Sequence, residues 1–151
     1  MSAPLSSLKI LDFSTLLPGP YASMMMADLG AEVLRLESPT RPDLVRMLPP
    51  RLKGGSATHA TLNRSKHSLA LNLKKPDAVK IVQQLVGKYD IVLEQFRPGV
   101  MKRLGLDYEE LRKYNPALIF CSLTGYGQTG PYRNRAGHDL NYLAISGVSN
   151  Y

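Results

Sequence analysis

His138 is the residue of this 151-residue chain whose type and setting best suit proton transfer. It lies in the run GHDLNY (residues 137–142), at the predicted start of a helix and after a glycine-rich loop. Positive potential at a helix N-terminus favours a neutral imidazole, which is the form that accepts a proton. Asp139 follows, and an acid in a first helical turn either caps the helix or orients a neighbouring imidazole. A purely structural role for His138 is the alternative.

The other histidines and the cysteine carry less information. His59 and His67 lie among polar residues of a loop and a strand start, so we expect both at the surface. No partner stands at a metal-ligand spacing from His138, so the sequence predicts no metal site. Cys121 is the only cysteine and sits in an apolar run, which predicts a buried free thiol and fits a reducing, cytoplasmic compartment.

Basic residues outnumber acidic ones, 19 to 12, which gives a formal charge of +7 and some attraction to anions. They are dispersed, with no run of five, and this argues against nucleic acid as the partner. A phosphorylated small molecule and a solvated basic surface both remain open. The pairs Lys74-Lys75 and Arg64 with Lys66 lie beside predicted strand ends, where phosphates could be received.

Strands and helices alternate along the chain, which predicts an α/β fold: a Rossmann-like parallel sheet flanked by helices. The predicted strands are 8–13, 31–37, 68–73, 91–94 and 117–123, and the predicted helices are 21–29, 75–88, 98–104 and 108–114. Residues 17–20 are expected to form a turn, residues 38–61 a long loop, and residues 138–151 a helical segment. No apolar run is long enough to cross a membrane, and the start lacks a signal-peptide pattern. Ligands of such sheets bind at the carboxyl ends of the strands.

The run GYGQTG (residues 125–130) matches the dinucleotide fingerprint and follows a predicted strand. Pro131 and the polar residues after it are a poor start for the helix that this fingerprint requires, and no strand-ending acid follows about 20 residues later. We therefore expect neither a nicotinamide nor a flavin cofactor. The glycines are expected to let the backbone turn tightly at the sheet edge.

Five segments, in order along nearly the whole chain, resemble the family III CoA-transferase superfamily. They are DFSTLLPGPYASMMMADLGAEV (12–33), NRSKHSLALNLK (63–74), EQFRPGV (94–100), LTGYGQTGP (123–131) and AGHDLNY (136–142). The last segment is similar to the alpha-methylacyl-CoA racemase branch, because transferases usually carry another residue where His138 stands. Ser38 is a departure, since racemases often have arginine there; an adenine-stacking or phosphate contact is then either missing or replaced by Arg35 or Arg41.

The resemblance implies that residues 1–151 form the N-terminal part of a CoA-binding domain whose remainder is absent from this sequence. It implies an interlocked homodimer for the full-length protein, and an acyl-CoA thioester as substrate with no separate cofactor. It also implies a set of contacts to CoA: Leu71, Asn72, Leu73 and Lys74 at the nucleotide end, Arg97 near the phosphates, and Gly137, Leu140, Asn141 and Tyr142 at the thioester.

Racemisation beside a thioester needs two acid–base groups on opposite faces of the reacting carbon. His138 is the expected first base, with backbone amides near Asp139 and Leu140 stabilising the enolate oxygen. The resemblance implies an aspartate beyond Tyr151 as the second base, so this fragment alone is expected to turn over nothing. CoA transfer to a carboxylate is the alternative chemistry, and a non-catalytic CoA-binding or dimerisation module is the alternative outside enzymes.

Overall fold

The computed structural model describes residues 3–150 as alternating strands and helices. In chain order the elements are β1 (Lys9–Asp12), α1 (Pro18–Asp28), β2 (Glu32–Glu37), β3 (Arg51–Leu52), β4 (Gly55–Ser56), α2 (Ala57–Leu62), β5 (His67–Ala70), α3 (Pro76–Val86), β6 (Ile91–Glu94), α4 (Val100–Leu104), α5 (Tyr108–Leu111), β7 (Ile119–Ser122) and α6 (Asp139–Ile145). Among these residues, no helix is long and apolar enough to span a membrane.

Five strands form one sheet in the order β5-β2-β1-β6-β7, and every neighbouring pair is parallel. Ile10 on the central strand β1 lies opposite Val33 of β2 on one side and Ile91 of β6 on the other. Helices flank this sheet, so the predicted α/β class with a Rossmann-like parallel sheet is confirmed. All carboxyl ends of the five strands therefore lie along one edge.

Two apolar clusters cover the two faces of the sheet. The larger cluster joins strand residues such as Leu11 and Val92 to Val82 of α3 and Met101 of α4. The smaller cluster joins Ile10, Val33 and Leu93 to Ala27 of α1. Since alternate strand residues point to opposite faces, the apolar runs of β1 and β6 serve both clusters.

The sequence-based bounds of α1 were wrong at its start. The helix begins at Pro18 and not at Tyr21, so the segment predicted as a turn is the first helical turn. Proline suits this position because its missing N–H would have no partner in the first turn. Gly30, with φ of 101°, follows the helix, as predicted.

The stretch expected to be a long loop contains regular structure. Leu44–Met47 forms a turn of 3-10 helix, β3 and β4 pair as an antiparallel hairpin, and α2 follows directly. Ser56 caps α2, because its side chain accepts a hydrogen bond from His59 N at 3.3 Å. The elements are too short for their periodicity to show in the sequence.

The outer strands end earlier than predicted. Leu71 N still donates to Glu37 O at 2.9 Å, but the Asn72 side chain then accepts from Lys74 N at 3.1 Å and turns the chain away from the sheet. On β7, Cys121 is exposed, so the prediction of a buried thiol was wrong. It shares a face with Ile119, which is 57% exposed, and within residues 3–150 no helix covers that part of the sheet edge.

Candidate active site at the carboxyl edge of the sheet

The chain leaves β1 towards β2 on one side and leaves β6 towards β7 on the other, so the carboxyl ends of β1 and β6 form a topological switch point. Ligands of open α/β sheets bind in the crevice at such a point. Gln95 joins the two loops there: its Nε2 donates to Thr15 O at 2.6 Å, and its Oε1 accepts from Gly19 N at 3.1 Å.

Gly19 allows this close approach of α1 to the end of β1. A Cβ at this position would lie 2.7 Å from Gln95 Oε1 and closer still to the Ser14 side chain. Ser14 is buried and its backbone N donates to Asp12 Oδ1 at 2.8 Å, so it has little freedom to move away. The packing of the switch point therefore requires glycine at position 19.

The loop after β1 has an unusual backbone. Leu16 has φ of 63°, in the left-handed region that a branched side chain rarely adopts. Its N–H donates to both carboxylate oxygens of Asp43, at 3.2 and 3.3 Å. Its side chain and that of Leu17 are 41% and 57% exposed. The loop thus presents apolar side chains at the switch point.

Arg35 lies at the centre of a buried charge cluster and is not available to replace the arginine expected at position 38. Its side chain is 2% exposed, and its guanidinium forms a close ion pair with Asp43 and donates to Glu37 at 2.6 Å. It also lies 2.9 Å from His59 Nε2, which must accept this bond because guanidinium has no acceptor. Burial, and then the charges of Arg46 and Arg35, lower the pKa of His59.

Lys66 and Arg64, predicted to lie where phosphates are received, both have partners within the protein, but only the Lys66 side chain is buried, and the Arg64 side chain is 46% exposed. The Lys66 side chain is 1% exposed; its Nζ donates to Ser23 Oγ at 2.8 Å and lies 3.6 Å from an Asp12 oxygen. Burial lowers the pKa of Lys66, and the charge of Asp12 opposes this shift. Arg64 pairs with Asp28. Lys66 therefore links the segment before β5 to α1 and to the end of β1, whereas the Arg64 pair joins the segment after α2 to the end of α1 at the surface.

The residues predicted at the nucleotide end follow β5 and differ in accessibility. Leu71 and Leu73 are half-buried and pack against the larger core cluster, so their side chains stabilise the core. Asn72 shapes the turn, and Lys74 is exposed. Of this group, the exposed Lys74 side chain can meet an anion, whereas the backbone N–H groups of Leu71 and Lys74 already have acceptors within the chain.

Arg97 lies beyond the end of β6 at a cavity of about 280 Å³. The cavity also holds Glu94, which is buried and accepts a hydrogen bond from Phe96 N at 2.7 Å. Burial is the main cause that raises the pKa of Glu94. Since β5 and β6 are three strands apart, at about 4.8 Å per strand the two predicted phosphate ligands, Lys74 and Arg97, leave the sheet about 14 Å from each other.

His138 and Asp139 are both exposed and mark the start of α6. The predicted position of this helix start is confirmed. Asn141, and not Asp139, makes the capping contact: its side-chain oxygen accepts from His138 N at 2.9 Å. Leu140 is 80% exposed, so its side chain contributes nothing to the core.

Tyr142 fastens α6 to the loop that follows β7. Its ring lies over Gly125 and Gly137, where an added Cβ would lie 2.5 and 2.6 Å from Tyr142 Cε1, and it packs edge-on against Tyr126 with ring centroids 5.4 Å apart. Because Gly137 precedes His138 and Gly125 comes three residues after β7, this packing holds His138 near the carboxyl end of β7. Gly127 and Gly130 have positive φ, and no helix begins directly after them, which confirms the predicted tight turns.

The carboxyl edge thus carries Lys74 at one side and His138 at the other, with the switch point between them. Four strand spacings separate β5 from β7, or about 19 Å, a span suited to an elongated anionic ligand with a reactive group at one end. Neither Gln95 nor Asp43 was predicted at this edge from the sequence. Gln95 directly follows a buried strand, a signal that could have found it, whereas nothing near Asp43 in the chain points to Leu16.

Residues 5–151 match CoA-transferase family III. The chain is 43% identical over 146 residues to human succinyl-CoA:glutarate CoA-transferase, covering 96% of this chain and 33% of that protein. It is 41% identical over 145 residues to human alpha-methylacyl-CoA racemase, covering 95% and 34%. A CAIB/BAIF family protein from Brucella suis has a TM-score of 0.91 at 37% identity, covering 98% of this chain and 40% of that one. The chain therefore spans about a third of the length of these curated relatives.

Proposed function

This chain belongs to CoA-transferase family III, and from that membership we propose that it is the N-terminal part of an acyl-CoA racemase. The reaction is a 1,1-proton transfer at the carbon next to the thioester of a 2-methylacyl-CoA. The observation that carries the proposal is the exposed imidazole of His138, held by Tyr142 at the same sheet edge as Lys74 and Arg97.

In this proposal CoA lies along the carboxyl edge of the sheet. Its phosphates meet Lys74, the backbone N–H groups of residues 72 and 73, and Arg97, because lysine and arginine beside backbone donors suit phosphate oxygens. The segment from Gly137 to Tyr142 holds the thioester, so the carbon that loses its proton lies beside His138. The CoA thioester is the substrate, and no further cofactor is required.

His138 removes the α-proton from one enantiomer and returns a proton to form that enantiomer in the reverse reaction. Negative charge then develops on the thioester oxygen, and the backbone N–H groups of Asp139 and Leu140 are the proposed donors to it. Asp139 orients the imidazole or supports the local backbone and exchanges no proton. The family resemblance assigns the second base to an aspartate beyond Tyr151. We therefore propose that the 151-residue chain alone does not catalyse the reaction.

Exchange of the substrate α-hydrogen in deuterated water tests this reaction in the full-length protein, without any acceptor acid. We expect His138→Ala to abolish exchange from one enantiomer while the Kd for CoA changes less than about threefold. His67→Ala is the matched control, because His67 is exposed on β5, at the opposite side of the sheet. Unchanged exchange in His138→Ala would remove His138 from the mechanism.

CoA transfer between an acyl-CoA and a free carboxylate is the second candidate. It is favoured by the names of relatives at similar identity, among them the human succinyl-CoA:glutarate enzyme and an Agrobacterium fabrum succinate–glutarate CoA-transferase, 41% identical over 152 residues. Product formation that depends on an added carboxylate, with no α-exchange in its absence, would favour transfer over racemisation. A non-catalytic CoA-binding or dimerisation module would show CoA binding with neither reaction.

We also propose that the full-length protein is an interlocked homodimer in the cytoplasm that does not bind nucleic acid or membranes. The dimer follows from the family resemblance, and the compartment from the lone free cysteine. Calorimetry with CoA and with an oligonucleotide, and sedimentation of the full-length protein, test these points. A preference for the oligonucleotide would contradict the proposed phosphate contacts.

A further inference from the structure

We infer that Asp43 is a positioning residue, which holds the loop after β1 in the conformation that presents Leu16 and Leu17 to the acyl group of the substrate. The inference rests on the proposed function, because it takes an acyl-CoA as the ligand of this edge. It concerns a different part of that ligand from the thioester carbon assigned to His138.

Leu16 needs an external contact to keep its backbone conformation. A left-handed φ of 63° is unfavourable for leucine, and such residues persist only where the surroundings hold them. The surroundings here are the two carboxylate oxygens of Asp43, which both accept from Leu16 N. These bonds connect residues 27 positions apart, so they fix this loop relative to the segment that follows β2.

Asp43 is itself held firmly. It is 5% exposed, accepts from Val45 N at 3.1 Å and forms a close ion pair with Arg35. Arg35 is fixed in turn by Glu37 and by the neutral imidazole of His59. The buried cluster therefore determines where the Asp43 carboxylate lies, and through it the path of the loop.

The side chains displayed by this loop differ in character from the rest of the site. Leu16 and Leu17 are apolar and largely exposed at the switch point, whereas the groups assigned to CoA, Lys74 and Arg97, are cationic. Two strand spacings, about 10 Å, separate the end of β1 from the end of β7, where the His138 segment is fastened. An acyl chain that extends from a thioester near His138 can reach the two leucines, and its apolar surface matches theirs.

The test measures, by calorimetry on the full-length protein, the ratio of the Kd for CoA to the Kd for a 2-methyl-branched long-chain acyl-CoA. We expect Leu16→Gly to lower this ratio about tenfold with little loss of thermal stability, because glycine adopts the left-handed conformation freely but has no side chain. We expect Asp43→Asn, which removes the charge paired with Arg35, to lower the ratio about fivefold. Asp43→Asn added to Leu16→Gly should lower it little further, because the side chain that Asp43 positions is already gone.

Asp77→Asn is the control, because Asp77 is an exposed acid on α3 and should leave the ratio unchanged. A merely structural role for Asp43 would weaken both ligands equally, and that result overturns the inference. A wild-type ratio in Leu16→Gly also overturns the inference. This second test can be made even if the Asp43 variant fails to fold. Failure of the proposed function looks different: the wild-type protein would then show no α-exchange, or bind acyl-CoA no more tightly than CoA.

Discussion

Replacing Gly125 by alanine tests whether Tyr142 positions the catalytic segment. The new Cβ would lie 2.5 Å from Tyr142 Cε1 and closer to Cζ and Oη, whereas unbonded carbon atoms prefer about 3.5–4.0 Å. Since φ of Gly125 is not in the left-handed region, alanine imposes no backbone strain there. The overlap must be relieved by moving the ring roughly 1 Å or more, and because the ring is also packed against Gly137 and Tyr126, we expect α6 to shift with it. Overpacking of this kind costs about 1–3 kcal/mol of stability.

The effect on activity should exceed the effect on stability. A displacement of about 1 Å in a positioned catalytic group can reduce the rate about 100-fold. We therefore expect Gly125→Ala in the full-length protein to slow α-hydrogen exchange by about that factor, measured in deuterated water, while the protein still binds CoA.

Gly127→Ala is the matched control for the same loop. A Cβ there meets nothing within 4 Å, but φ is 81°, so its cost is backbone strain of about 1–2 kcal/mol without displacement of Tyr142. It should lose stability and keep most of its exchange activity. Wild-type exchange in Gly125→Ala would refute the positioning of His138 by Tyr142.

Three further predictions concern the buried charges and the open strand. Lys66→Met leaves Asp12 buried without its cation and should reduce the free energy of unfolding in urea by about 3 kcal/mol, whereas Lys80→Met, at an exposed site, should have almost no effect. The pKa of His59 is lower in the folded than in the unfolded state. The stability that His59 contributes is therefore present above about pH 6.5 and is lost as the pH falls through the folded-state pKa. His59→Gln should weaken this acid sensitivity of the melting temperature, and His67→Gln should not. In the 151-residue chain, Cys121 should react with a maleimide without denaturant, and protection of the thiol would contradict an uncovered face of β7.

The strands and their class were predictable because their signals are local. Ile91–Glu94 is a short β-branched apolar run between polar segments, and the structure has the predicted bounds there. The start of α1 was missed because Pro18 and Pro20 favour turns and first helical turns alike, and contacts distant in the chain, such as Gly19 N to Gln95 Oε1, do not show in the local sequence. The hairpin of β3 and β4 is too short to produce a pattern.

The site was predictable only where its signals are local in the sequence. His138 could be assigned to a helix start after a glycine-rich loop, since both features are adjacent in the chain. Lys66 could not be separated from an exposed lysine, because its partners Asp12 and Ser23 precede it by 54 and 43 residues. The bond between Asp43 and Leu16 likewise depends on strand order, which the sequence alone does not specify.

The pairing of β1 sets an order in which the chain can assemble as it leaves the ribosome. Its partner β2 begins about twenty residues later, but its other partner, β6, pairs Ile91 with Ile10 and is synthesised long afterwards. The half-sheet β5-β2-β1 can therefore form first, with one side of its central strand left unpaired. An unpaired strand invites pairing with another chain, so we expect nascent chains stalled before residue 91 to need chaperone protection that longer ones do not.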